Sequence, residues 1–265
     1  MTEVNFPLPE GTHTVILGVG DLNGLMRGKR IPADQWPRIC GSGNALAMSL
    51  FTMDMTCDVW ETPVVGFANG FPDCHIFPMH PPVAVPWEPG VAMCFARAEG
   101  MDHGPLTVDP RQALLRQVER AAAIGIDLQV GTELEFYLLD PDTGRPRDKG
   151  NDCYGLARAA ELEPVLGPMR RELAEMGIPI EQSNPEYAAG QVEVNIRYDS
   201  AMIAADRVVK FRSLVKQLAA RHGLNATFMA KPFIDESGNG FHLHYSLWSE
   251  GENIFADAGK LNDLG

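Results

Sequence analysis

Three short segments alternate polar and apolar side chains, and this alternation constrains the chain to a sheet with one hydrophilic face. They are Gly131-Thr132-Glu133-Leu134-Glu135-Phe136-Tyr137, Gly190-Gln191-Val192-Glu193-Val194-Asn195-Ile196 and Phe241-His242-Leu243-His244-Tyr245-Ser246. Successive side chains of a strand point to opposite faces. Glu133 and Glu135 therefore share one face, with Thr132, Leu134 and Phe136 on the other. Glu193 sits with Gln191 and Asn195, while His242, His244 and Ser246 lie opposite Phe241, Leu243, Tyr245 and Leu247. Glu186 precedes Glu193 across a turn at Ala189-Gly190, so both acids can reach one point. Each segment alone is an ordinary half-exposed strand. Joined in one sheet, they crowd carboxylates together, and at an effective dielectric near 20 two such groups about 4 Å apart repel by roughly 4 kcal/mol. A divalent cation removes that cost, and carboxylates with one or two imidazoles suit Mg²⁺ or Mn²⁺.

The bulk properties narrow the function further. The net charge of −13 argues against nucleic-acid binding, which needs clustered Lys and Arg. No apolar run approaches the roughly 20 residues that span a bilayer, and Met1-Thr2-Glu3-Val4-Asn5 lacks the basic and apolar regions of a signal peptide. The five cysteines, Cys40, Cys57, Cys74, Cys94 and Cys153, show no CxxC spacing and fit reduced thiols in a cytoplasmic protein. No Gly-Lys-Ser/Thr follows the loop Asp235-Glu236-Ser237-Gly238-Asn239-Gly240, so it is not a Walker A loop, and no G-x-S-x-G elbow occurs.

Along the chain, residues 1–105 are expected to form a β-rich unit, with strands at Thr14–Val19 and Ala45–Phe51 and an extended connector over Pro78–Pro89. Residues 106–265 form the second unit. Asp109 and Pro110 open a helix with an apolar stripe of Leu114, Leu115, Val118 and Ala122. Further helices are expected over about Glu163–Met176, ended by Gly177, and from near Asp199 to Gly223, with Ile203, Val208, Phe211, Leu214, Val215 and Leu218 inward. Asp140–Asn151 is expected to be a loop and Asn225–Met229 a strand.

The order of four motifs resembles the glutamine synthetase family: Gly131-Thr132-Glu133-Leu134-Glu135-Phe136, Pro185-Glu186-Tyr187-Ala188-Ala189-Gly190-Gln191-Val192-Glu193, Asn225-Ala226-Thr227-Phe228-Met229-Ala230-Lys231-Pro232, and Gly238-Asn239-Gly240-Phe241-His242-Leu243-His244-Tyr245-Ser246. Asp21-Leu22-Asn23-Gly24 with Arg27-Gly28-Lys29, and Pro86-Trp87-Glu88-Pro89, fit its N-terminal domain. The resemblance implies an α+β fold. It comprises an N-terminal β-grasp domain and the first part of a catalytic domain with a curved antiparallel sheet. It also implies an ATP-dependent carbon–nitrogen ligase that joins glutamate to ammonia or an organic amine through γ-glutamyl phosphate, in ring-shaped homo-oligomers with shared active sites.

Carried onto these positions, the resemblance gives Glu135, Glu186 and Glu193 to the cation that positions the amino acid. It gives Glu133 and His242 to the one that neutralises ATP phosphates. His244 and Ser246 would line the nucleotide pocket, with Tyr198 near adenine or ribose and Glu181 at its edge. Gly238 would touch glutamate. Asp54, with Asp58 as runner-up, would deprotonate the amine, and Asp73 comes from the same neighbouring segment.

Three departures point to the branch that makes γ-glutamyl amides of polyamines, alkylamines or related amines. Ser237 replaces an asparagine, Ala230 precedes Lys231 in place of proline, and Met53-Asp54-Met55-Thr56 replaces Asp-Gly-Ser-Ser. The chain stops at Gly265, before the family's phosphate-gripping arginines and a further ligand glutamate. The alternative expectation is therefore a truncated, catalytically silent paralogue or fragment that binds metal or assembles with full-length subunits.

Overall fold

The computed structural model describes residues 5–147, 150, 152–257 and 259–263, and the chain divides into two compact units, Met1–Gln117 and Val118–Gly265. In the first, β1 (Thr14–Gly20) and β2 (Met26–Pro32) form a hairpin, followed by α1 (Trp36–Ser42) with a proline in its first turn. Then come β3 (Asn44–Ala47), β4 (Asp73–Pro78), β5 (Val83–Ala84) and β6 (Val91–Gly100). The sheet order is β2-β1-β6-β4-β3, with β5 on β6; β1 and β6 run parallel and the other pairs antiparallel. Alternation along β1 buries Val15, Leu17 and Val19 with Trp36, Ile39, Phe51 and Ile76.

Two expectations change here. Ala45–Phe51 is not one strand: β3 ends at Ala47, and a 3₁₀ turn over Met48–Phe51 buries Met48, Leu50 and Phe51 together, which a period of two could not do. The stretch Pro78–Pro89 contains β5, whose Val83 pairs with Met93.

The long helix α2 (Pro110–Ala122) begins where the Asp109 carboxylate accepts the Arg111 N–H at 2.8 Å. Its apolar stripe is only half-buried, apart from Ala122, which is exposed. After α2, whose residues fall in both units, the second unit holds β7 (Asp127–Leu139), α3 (Leu156–Glu175), β8 (Ile180–Pro185), β9 (Gln191–Ser200), α4 (Ala201–Arg221), β10 (Asn225–Thr227), β11 (Phe241–Ser249) and β12 (Glu252–Asn253). One antiparallel sheet of order β12-β11-β7-β9-β8, with β10 on β7, unites the three alternating segments. Irregularities at Val130/Thr132 and Ile180/Gln182 add local bend and twist.

The apolar face of β7 and β9, namely Leu134, Phe136, Val192, Val194 and Ile196, is buried, as are Phe211, Leu214, Val215 and Leu218 of α4 and Leu166, Met169 and Leu173 of α3. Burial of each such side chain contributes about 1.5–3 kcal/mol. With the back of β7 and β9 buried, these strands keep the opposite face for Glu133, Glu135, Gln191, Glu193 and Asn195, whereas Phe241, Leu243 and Tyr245 on the apolar side of β11 are exposed. The helix α3 starts seven residues before the expected Glu163 and runs through Pro164 and Pro168. Each proline removes one donor, yet buried Leu162, Leu166, Met169 and Leu173 hold the helix in place. Ile203 is exposed rather than inward, because Ala201 and Ala204 occupy the buried side of that turn. β8 has no clear alternation, and sequence patterning does not reveal it. The loop expected at 140–151 is a turn where described; residues 148, 149 and 151 lie outside the described residues.

Candidate metal and nucleotide site

Strand register builds the site. Glu135 lies opposite Glu193, Glu133 opposite Asn195, and His242 opposite Glu133. β8 places Asn184 opposite Glu193. As a result, one oxygen each of Glu133 and Glu193 and one ring nitrogen of His242 lie within 4.8 Å of one another.

The two glutamates differ in environment. The oxygens of Glu133 face two imidazoles, His242 Nδ1 at 3.2 Å and His244 Nε2 at 3.2 Å. Partial burial opposes ionisation of Glu133, but the hydrogen bonds from His244 and His242 outweigh it and hold the carboxyl below its ordinary value. Glu193 is buried, and burial, followed by the charges of Glu133, Glu186 and Glu135, pushes its carboxyl upward. Burial and then the Glu135 charge push Glu186 the same way. Asn184 Nδ2 donates to Glu186 Oε1 at 2.9 Å, and the Cys153 thiol lies 3.8 Å from Oε2. Across the turn, the Glu186 N–H bonds Gln191 O at 2.9 Å, which draws both acids to one end of the sheet.

Gln191 connects the acidic face to the glycine-rich loop. Its Nε2 lies 2.9 Å from Glu135 Oε2, 2.9 Å from Gly238 O and 3.2 Å from Asn239 Oδ1. The loop runs so close that a Cβ on Gly240 would meet Glu135 Oε1 at 2.6 Å, so any other residue there would displace the Glu135 carboxylate. Tyr137 donates to Ser237 O at 2.6 Å, and burial with the charges of Glu236 and Glu135 pushes its hydroxyl up to about 12.

A cavity of about 470 Å³ adjoins the acidic group, lined in part by Glu133, Glu181, Asn195, Tyr198, His244 and Ser246. The residues expected near a nucleotide, Glu181, Tyr198, His244 and Ser246, thus share one hollow with Glu133. Asn195 Oδ1 is buried there without a hydrogen-bond partner. A cation fits this face on its own chemistry: hard oxygen donors and an imidazole converge, two buried carboxyls resist ionisation for want of positive charge, and one buried oxygen is unsatisfied. Asp54, Asp58 and Asp73 belong to the other compact unit. Sequence reasoning overlooked Asn184 and Cys153 as neighbours of Glu186; the signal for Asn184 is its place just before Pro185-Glu186 on the unrecognised β8.

Residues 107–265 match the family described as "Glutamine synthetase, catalytic domain". The chain belongs to the glutamine synthetase family. It is 30% identical to a glutamate–isopropylamine ligase of a Pseudomonas species over 95% of this chain and 59% of that protein. With a γ-glutamylethanolamide synthetase of Streptomyces coelicolor it shares 32% identity, over 95% of this chain and 57% of the relative. A glutamine synthetase of Pyrococcus abyssi is 36% identical over 89% of this chain and 51% of its own length. Among solved structures, GmaS without ligand superposes with a TM-score of 0.82 at 31% identity, over 96% of this chain and 59% of GmaS. The chain therefore spans between 51% and 59% of the length of these relatives. Among the described residues no helix is long and apolar enough to cross a membrane, and none of the five cysteines is in a disulfide.

Proposed function

We propose that the chain is the part of an ATP-dependent glutamate–amine ligase that carries the divalent-cation and nucleotide sites. The observation that supports this most is the convergence of Glu133, Glu193 and His242 beside the cavity lined by Glu181, Tyr198, His244 and Ser246. Glu135, Glu186 and Glu193 would hold a cation near glutamate, and Glu133 with His242 one near ATP; both Mg²⁺ and Mn²⁺ suit these donors. When bound, such cations supply charge neutralisation between a carboxylate nucleophile and a polyphosphate.

The chain's own residues account for the rest. His242 and His244 keep Glu133 ionised, and Gln191 holds Glu135 and the Gly238 loop in one arrangement beside glutamate. In the first step the γ-carboxylate oxygen attacks the terminal phosphorus of ATP and ADP departs. In the second, the amine nitrogen attacks the acyl carbon and phosphate departs, while Asp54 accepts the proton that the ammonium form must lose. Asp73 would belong to the same amine-side segment. The unit holding Asp54 we read as the β-grasp domain, and active sites shared within a homo-oligomer would bring it to the acidic face.

An organic amine as nucleophile is supported by the two amine-ligase relatives and by Trp60. A bridge between Met53 and Val59 sets Asp54 opposite Asp58, with Trp60 one diagonal step away on the same face and 68% exposed. An exposed indole beside a carboxylate suits an ammonium group bearing an apolar substituent.

The test is ADP release by the chain with ATP, Mg²⁺ and glutamate against ammonium, ethylamine, isopropylamine, ethanolamine and putrescine. Turnover dependent on an organic amine is expected. Turnover with ammonium alone would overturn the amine reading, and Mn²⁺ binding without turnover would favour a silent metal-binding chain.

A further inference from the structure

The motif Asp21-Leu22-Asn23-Gly24 with Arg27-Gly28-Lys29 has no part in the chemistry above, yet its polar side chains are committed to specific partners. The Asp21 carboxylate has no exposed surface. Its Oδ1 accepts the N–H groups of Asn23 at 2.9 Å and Leu25 at 2.8 Å, and Oδ2 accepts Arg27 Nε at 2.7 Å. One buried charge thus fixes both the β1–β2 turn and the guanidinium on the following strand. A Cβ on Gly28 would meet Leu17 O at 2.0 Å, so the hairpin is closed too tightly there for any other residue.

From this turn, two side chains reach the loop that carries Asp54. Asn23 Nδ2 donates to Met53 O at 2.9 Å, on the residue directly before Asp54. Arg27 Nη1 lies 3.8 Å from Cys57 Sγ, three residues after it. Between these two anchors the Asp54 Oδ1 collects Thr56 N at 2.8 Å, Thr56 Oγ1 at 2.8 Å and Asp58 N at 3.0 Å. An exposed loop with no such anchors would lose this convergence of donors to conformational freedom.

We infer that Asp21 is a positioning residue for Asp54, acting through Asn23 at one end of the loop and Arg27 at the other. Its catalytic consequence rests on the reading of Asp54 as the amine base; the structural coupling does not. The groups that face Asp54 are Thr56, Asp58 and Trp60, and they hold its carboxyl below the ordinary aspartate value, the Thr56 hydroxyl most. Asn23→Ala changes no charge, so any change it causes at Asp54 comes through geometry.

The experiment is a carbon-13 NMR titration of the Asp54 carboxyl in the 265-residue chain, assigned with Asp54→Asn, for the wild type, Asn23→Ala and Asp21→Asn. The expected result is an upward move of the Asp54 titration toward the ordinary aspartate range in both variants. In assays showing amine-dependent turnover, kcat/KM for the amine should fall by up to about 10²-fold, the cost of roughly 1 Å of misplacement, with KM for ATP unchanged. The NMR readout needs no turnover, so failure of the ligase reading leaves it intact. Unaltered Asp54 titration in folded Asn23→Ala would overturn the inference, and that milder variant decides the matter if Asp21→Asn does not fold.

Discussion

The carboxylates at Asp54 and those at Glu186 and Glu193 solve opposite problems. Asp54 is supplied with donors from its own loop and is held ionised. Glu186 and Glu193 are buried beside other acids, and their charged forms are disfavoured. The difference teaches what each waits for. A carboxylate already satisfied by N–H and O–H groups keeps its charge without a cation and can meet an incoming ammonium group as an anion. Carboxylates short of donors are ready for a cation, which brings the missing positive charge.

The comparison can be broken first at Asp54. If it is the amine base, Asp54→Asn should lower kcat/KM for the amine by the 10²–10⁴-fold typical of a lost general base, measured by ADP release, with Mn²⁺ affinity unchanged. Next, Glu193→Ala should weaken Mn²⁺ at least by the 10–100-fold that loss of an outer-shell partner costs at metal sites, measured by calorimetry. A change smaller than twofold would remove Glu193 from the cation site.

A third test uses pH. Glu186 and Glu193 have folded values raised above the ordinary 4.5. Their contribution to stability is therefore complete below the unfolded value and is lost as pH rises through the folded one. Urea unfolding of the metal-free chain should show stability falling as pH rises above about 4.5. At about 100 times its dissociation constant, Mn²⁺ should add about 2.7 kcal/mol and flatten that fall. The smallest effect is expected from Glu193→Gln without metal: at neutral pH it should unfold at higher urea than the wild type, by on the order of 1 kcal/mol, because it removes repulsion while keeping shape.

Much of this was legible in the sequence because it depends on alternation and order. The period of two along 131–136 and 191–196 placed Glu133, Glu135 and Glu193 on one face, and the register confirms it. What stayed hidden depends on tertiary context. β8 carries Glu181 and Asn184 but has no alternating pattern to announce it. The first turns of α3, from Leu156, carry no buried leucine before Leu162, so no apolar stripe marks where the helix begins. Asn23 and Asp54 lie 31 residues apart in a chain whose local patterns cannot reveal that a side chain of one turn holds the backbone of another.

Whether Glu133, Glu193 and His242 form a divalent-cation site is decided by Mn²⁺ electron paramagnetic resonance on the purified chain. A bound Mn²⁺ population is expected that Mg²⁺ displaces and that disappears in folded Glu193→Gln, with His242→Ala weakened as well. Equal Mn²⁺ binding in all three proteins would contradict such a site.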